Sequence, residues 1–452
     1  MPQSQPSSTE ITQILARYVA ESNFEDIPQP VREEAIRTFL NWLGCAVGGS
    51  HHETLDIAIA ALAPFSGPAQ ASILGRNEKF DILHAALLNG ISSHVFDFDD
   101  THLRTVIHPA GPVVSALVAY AEYAPVTGKD FLHALILGIE VECRLGNSVT
   151  PEHYDVGWHI TGTTGVWGAA AAIGKLLSLD TERMAWAFGL AATQPVGLRE
   201  MFGTMTKSFH PGRAAQNGLT SALLAARGYT SSHQAIEAKR GWANVLSTRH
   251  DYAEITENLG STFEILRNSY KPFACGIVIH PTIDGCIQIR NQETLAADQI
   301  QSVDVLVHPL VLELTGKLTP QTGLEGKFSV YHAAAAALIE GDGGEEQFSD
   351  RAVQDAGIIA LRGRVKAVSS TSIASDEARI SITLTDGRVI ALHVPHAIGS
   401  VARPMSNSEL ENKFRGLTTS IVGAEKTAEL IELCWKLESL EAVSQIATVA
   451  SL

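Results

Sequence analysis

Apolar positions recur at helical spacing through the first half of the chain. Ile11, Ile14, Leu15, Tyr18 and Val19 follow the 3.6-residue period. Ser7 and Glu10 stand ahead of them at capping-box spacing, and the first nine or so residues read as a polar leader. From there to about residue 260 the pattern predicts helix after helix. VREEAIRTFLNWLGCAV, FDILHAALLNGISSHVF, GPVVSALVAYAEYA, KDFLHALILGIEVECRLGNSV and RAAQNGLTSALLAARG are the clearest. Many are rich in Ala and Gly, which lets helices approach closely. No fixed-period repeat emerges.

The texture changes near residue 270. SVDVLVHP alternates Val303, Val305 and Val307 on one face, a strand signal. ARISITLTDGRVIALHVP predicts a hairpin: Ile380, Ile382 and Leu384 alternate, Asp386-Gly387 turns, and Ile390, Leu392 and Val394 alternate back. KFSVYHAAAAALIEG and FSDRAVQDAGIIALRG predict one helix each, with GDGGEE as the loop between them. After Pro404 the chain is helical again. At 452 residues it is too long for one ordinary core. The expected architecture is mainly α with a smaller α+β domain. A helical domain over 1–267 is interrupted by an α+β lid over 268–400 and completed by a C-terminal return over 401–452.

The net charge of −16 argues against nucleic acid, which attracts basic surfaces. It leaves an anionic small molecule possible, since a local cationic pocket can oppose the global sign. Cys45, Cys143, Cys275, Cys286 and Cys434 are odd in number and far apart, which fits a reducing compartment such as the cytoplasm. MPQSQPSSTE has neither a basic n-region nor an apolar h-region, and no run of about 18 apolar residues exists to span a bilayer. No membrane partner is expected.

Residues 94–112, HVFDFDDTHLRTVIHPAGP, change this picture. Three histidines, three aspartates, an arginine and two threonines sit between stretches that read as core. Four other segments place polar groups beside apolar runs. They are YDVGWHITGTTGVWGAAAA with His159, FGTMTKSFHPGRAAQNG with Lys207, His210 and Arg213, YKPFACGIVIHP with Lys271, Cys275 and His280, and GKFSVYHAAAA with Lys327, Tyr331 and His332. Helix N-termini and nearby lysines suit carboxylates. Each segment also has a structural reading. Asp97, Asp99 and Asp100 serve equally as caps, His159 as a core histidine, Lys207 as a surface lysine, Cys275 as a small hydrophobe, and His280-Pro281 as a turn. GTTGVWG lacks the strand that a nucleotide fingerprint requires, so its glycines point to close helix packing. His94, Asp97, Asp99 and His102 are metal-ligand types, but no known ligand spacing is present, and no metal is expected.

DFDDTH followed by HP, GWHxTGTTGxxGAAAA, GTMTKSFHPGRAAQNG, KPFxCGxxxHP and KFSVxY occur in this order. Together they resemble the MmgE/PrpD family, which includes 2-methylcitrate dehydratase, cis-aconitate decarboxylase and iminodisuccinate epimerase. The resemblance runs from about residue 10 to 440. It implies a helical domain built from both chain ends plus a lid, a homodimer, no organic cofactor, and a small di- or tricarboxylate substrate. By motif it implies site roles for Asp97, Thr101, His108, His159, Lys207 and Tyr331 as catalytic groups, and for Lys271 and His280 on the substrate. His102 and Arg104, beside Thr101, are placed with the substrate-binding groups. Methylcitrate dehydratases typically continue the first histidine motif as HPSDN. Here it reads His108-Pro109-Ala110-Gly111-Pro112, which favours the decarboxylase and epimerase side. The expected activity is that of a lyase converting cis-aconitate to itaconate through a stabilised carbanion. A dehydratase or epimerase on the same scaffold, or a binding module without catalysis, stands as the alternative.

Overall fold

A computed structural model describes residues 10–452. The Ser7 cap and the polar leader lie outside the described residues. The first helix, Ile11–Glu21, begins after Glu10, whose side chain makes no cap bond. The fold is mainly α with a smaller α+β domain, as the periodicity implies. No helix among the described residues is long and apolar enough to cross a membrane.

The largest core draws on residues between Phe24 and Cys143, on a few later helical positions, and on residues between Met405 and Ala450. The C-terminal return is thus welded to the N-terminal half. The weld is a close helix crossing: a Cβ added to Gly44 of the Gln29–Gly48 helix would stand 2.9 Å from Phe414 of the Asn407–Val422 helix. A second helical core joins Leu15 and Val19 to Trp167, Phe188 and Trp242. A third core belongs to the lid, drawn from residues between Phe273 and Val394, with Cys45 and Phe98 reaching in from the helical side.

The lid sheet has four strands in the spatial order Val365–Ser369, Ile300–Val307, Ala378–Leu384, Val389–Val394. The first pair is parallel, with Val303 opposite Val365, and the others are antiparallel, with Val305 opposite Ile380 and Ile380 opposite Leu392. Val303, Val305, Val307, Ile380, Ile382 and Leu384 are buried. The His280–Glu293 helix seats on this face through Gly285, where a Cβ would stand 2.1 Å from Ile380. One strand was not foreseen and two expectations need correction. The Val365–Ser369 strand escapes the pattern because Val365 alone of its residues is buried, so no alternation marks it. His280-Pro281 opens a helix, with Pro at a first-turn position that needs no N–H. The single helix expected over 348–363 is two, Asp350–Val353 and Ala356–Arg362, because Asp355 caps the second through the N–H groups of Gly357 and Ile358.

Candidate functional site

Four helix ends converge under the lid. The Ile82–His94 helix ends at His94, and the chain crosses a short loop to the two-residue strand Thr101–His102. That strand pairs with Asn268–Ser269, just ahead of Lys271. His108 then precedes the Ala110–Tyr123 helix. Asp100 accepts the Ala110 N–H at 3.2 Å and the Asn268 side-chain amide at 2.7 Å, which fixes the approach. His159 stands immediately before the Ile160–Leu176 helix, its N–H donating to the Gly197 carbonyl. Lys207 lies in the first turn of the Thr206–Ala226 helix. Glycines permit the convergence. A Cβ on Gly90 would stand 2.4 Å from Gly212, and one on Gly165 only 2.3 Å from Pro112. GTTGVWG is therefore a packing surface. Three helix N-termini add partial positive charge to the same place.

Asp97 is the hub. Its Oδ1 accepts from Lys207 Nζ at 2.7 Å and Lys271 Nζ at 2.8 Å, and Lys271 also donates to the Asp97 carbonyl. Burial pushes the Asp97 carboxyl up, but the two ammonium groups outweigh it and hold the carboxyl well below the usual range. Burial lowers Lys207, and Asp97 partly restores it. Each lysine has N–H donors beyond those Asp97 consumes. Lys207 stands 5.2 Å from the ring centroids of both Phe202 and Phe328.

The histidines are held neutral. His108 Nδ1 donates to the Asp100 carbonyl at 2.8 Å, with Thr101 Oγ1 at 3.3 Å. A carbonyl only accepts, so the neutral ring keeps a bare Nε2, 4.0 Å from Asp97 Oδ1. His159 Nδ1 and His210 Nδ1 share one proton across 2.8 Å. Burial carries both His108 and His159 well below the usual histidine range; for His159, His210 and Lys207 push the same way. Beneath them, burial and then Asp99 push Asp100 up to about 7.

The cavity between these groups has a volume of about 40 Å³, room for about two or three waters. Its floor is Asp97, Thr101, His108, Tyr154, His159, Phe202, Lys207 and Lys271, and its roof includes Ile277, Val278, Leu314 and Phe328. A tricarboxylate needs more room than this.

The structure therefore brings Asp97, Thr101, His108, His159, Lys207 and Lys271 together. It does not bring the other four. Tyr331 lies half-buried against the lid core, and the tyrosine lining the cavity is Tyr154. His280 is buried against Phe273 at 5.3 Å, outside the cavity lining. His102 spends both ring nitrogens, on Glu264 at 3.0 Å and Thr105 at 2.7 Å. Arg104 is exposed and paired with Glu254. Strand geometry explains the parting of Thr101 from His102, since neighbours in a strand face opposite ways and Thr101 takes the inward side. Sequence reasoning passed over Tyr154, although it opens YDVGWH. It also passed over the His94–Asp99 pair, whose Nδ1–Oδ2 distance is 2.7 Å.

One ring nitrogen each from His94, His108 and His159 lie within 4.8 Å of one another, as do ligand atoms of His94, Asp97, Asp99 and His108. These are the residues that would hold a metal ion, and His102 is not among them. Two ammonium groups already occupy Asp97 and repel a dication.

Comparison with known proteins divides the chain in two, with the second part running past the lid into the C-terminal helices. The MmgE/PrpD N-terminal domain matches residues 13–255 and the MmgE/PrpD C-terminal domain matches residues 273–437. The chain is 27% identical to the cis-aconitate decarboxylase-like protein oryM of Aspergillus oryzae, over 98% of this chain and 97% of that one. It is 26% identical to the cis-aconitate decarboxylase of Homo sapiens, over 97% and 94%. It is 22% identical to the 2-methylcitrate dehydratase of Cupriavidus necator, over 79% of each.

Proposed function

The chain belongs to the MmgE/PrpD family, and on that premise we propose that it is a lyase that decarboxylates cis-aconitate to itaconate. One observation carries the reading: two buried ammonium groups with donors to spare face the same small cavity as two neutral histidines. Relatives of nearly equal length that bear the decarboxylase name support it.

The geometry suits each step. Lys207 and Lys271 take carboxylates of the incoming trianion with the N–H groups that Asp97 leaves over. The arriving negative charge raises the pKa of His108 and His159, so one of them gains a proton that it lacks in the empty site. The carboxylate on the methylene carbon leaves as CO2. Its bonding electrons spread over the three-carbon allylic system toward the carboxylate at the far end, where the lysines stabilise them. The histidine delivers its proton to that far carbon, leaving the new double bond at the former methylene. One proton enters and one CO2 leaves, and the charges balance. The apolar roof keeps water from the carbanion. Asp97 and Thr101 hold the lysines and His108 in register. Tyr154, Tyr331, His280, His102 and Arg104 have no step assigned.

The test is product analysis after incubation with cis-aconitate, 2-methylcitrate and iminodisuccinate separately. CO2 release and itaconate from cis-aconitate alone support the reading. Water loss from 2-methylcitrate makes the protein a dehydratase, and racemised iminodisuccinate makes it an epimerase. A tricarboxylate that raises Tm and is never turned over makes it a binding module.

A further inference from the structure

The loop carrying Asp97 is held in an unusual way. Its three successive carbonyls, of Phe96, Asp97 and Phe98, each accept from a lysine, and the three lysines come from three parts of the chain. Lys327 of the lid donates to Phe96 at 2.8 Å, Lys271 donates to Asp97 at 2.8 Å, and Lys413 of the Asn407–Val422 helix donates to Phe98 at 2.6 Å. Asp97 between them adopts φ +51°, a left-handed conformation that side-chain-bearing residues adopt uncommonly. Such conformations persist where the surroundings over-determine them.

The four lysines near this loop divide into two kinds. Lys207 and Lys271 line the cavity and retain unused donors. Lys327 and Lys413 do not line it. Lys327 is 1% exposed, and its three N–H donors have three acceptors: the Phe96 carbonyl, the Ala274 carbonyl at 2.8 Å and Glu345 at 2.5 Å. Glu345 belongs to the GDGGEE loop of the lid, so one ammonium group ties the lid, the segment after Lys271 and the Asp97 loop together. Lys413 is also held by Asn41 at 2.7 Å and stands 4.0 Å over the Phe98 ring. Burying an ammonium is costly unless its donors are met. Lys327 meets that cost entirely on backbone and lid, with nothing left for a ligand.

We infer that Lys327 and Lys413 are positioning residues, which clamp the carbonyls on either side of Asp97 and so hold its carboxylate between the two substrate-binding lysines. Lys327 carries the position of the lid into that clamp. The inference rests on the reading of Lys207 and Lys271 as the cations that meet substrate. It extends that reading to two residues that do not line the cavity those lysines share.

The test compares Lys327→Met and Lys413→Met with the wild-type chain and with Lys366→Met, an exposed lid lysine. Hydrogen exchange of the segment around 94–101 is the first readout and needs no activity. The clamp predicts at least tenfold faster exchange there in both variants, with the helical cores unchanged and Lys366→Met silent. The second readout is kinetic: kcat on cis-aconitate falls at least tenfold while KM stays within threefold. Unchanged exchange in the segment overturns the inference, as does exchange that rises across the whole helical core. Faster exchange with unaltered kcat also overturns it. If the wild-type chain leaves cis-aconitate untouched, the proposed reaction fails, and the exchange comparison still decides the clamp.

Discussion

The floor and the roof of the cavity are built on opposite rules. The floor is crowded with buried charge: Asp97, Lys207 and Lys271 in one ion cluster, with His108 and His159 beside it. The roof offers Ile277, Val278, Leu314 and Phe328, which carry no charge. Buried ions raise no fold's stability cheaply, and a core of apolar groups would serve packing better. The contrast teaches where the chemistry lives. The floor supplies cations and protons, and the roof supplies a dry ceiling in which those charges act strongly.

The sharpest way to break this division is to remove a floor cation. Lys207→Ala should lower kcat/KM by about 100- to 1,000-fold, measured on purified folded protein. His159→Ala should cost about 100-fold, chiefly in kcat if His159 rather than His108 is the histidine that delivers the proton. The third test is thermodynamic. Below about pH 6.5 the unfolded chain binds a proton at residue 159 that the folded chain refuses, because the folded pKa is depressed. Stability therefore falls as pH drops through that value. Chemical denaturation at pH 7 and pH 5 should show the wild type losing about 2 kcal/mol more than His159→Gln, a roughly thirtyfold change in folding constant. On the roof, Phe328→Leu keeps the volume apolar but withdraws a ring from beside Lys207, and should cost about tenfold or less in kcat. Arg104→Ala, in an exposed pair, should leave kcat/KM within about twofold and stability within about 1 kcal/mol. A floor-sized loss at Phe328 or Arg104 would erase the distinction.

The floor was far more legible in the sequence than the roof. Asp97, His108, His159, Lys207 and Lys271 sit in motifs where polar groups interrupt apolar runs, an arrangement that a core tolerates only for a reason. The roof residues Ile277, Val278 and Leu314 look like any other core positions, so nothing marks them. Orientation was legible nowhere. Thr101 was carried by the motif and His102 only by standing next to it, and the strand sends the first to the cavity and the second to Glu264. Tyr331 stood in a motif while Tyr154 did the lining. The lid strand Val365–Ser369 lacked alternation because only Val365 on it is buried, and the helix over 350–362 broke at Asp355 through a cap that competes with continuation.

The most direct measurement is proton NMR of the purified protein with cis-aconitate in D2O. A carbanion protonated from within the site predicts itaconate carrying a single deuterium on its saturated carbon, at a rate that collapses in Lys207→Ala. Itaconate without deuterium at that carbon would contradict the carbanion route. Unchanged cis-aconitate, with another polycarboxylate consumed instead, would contradict the proposed reaction.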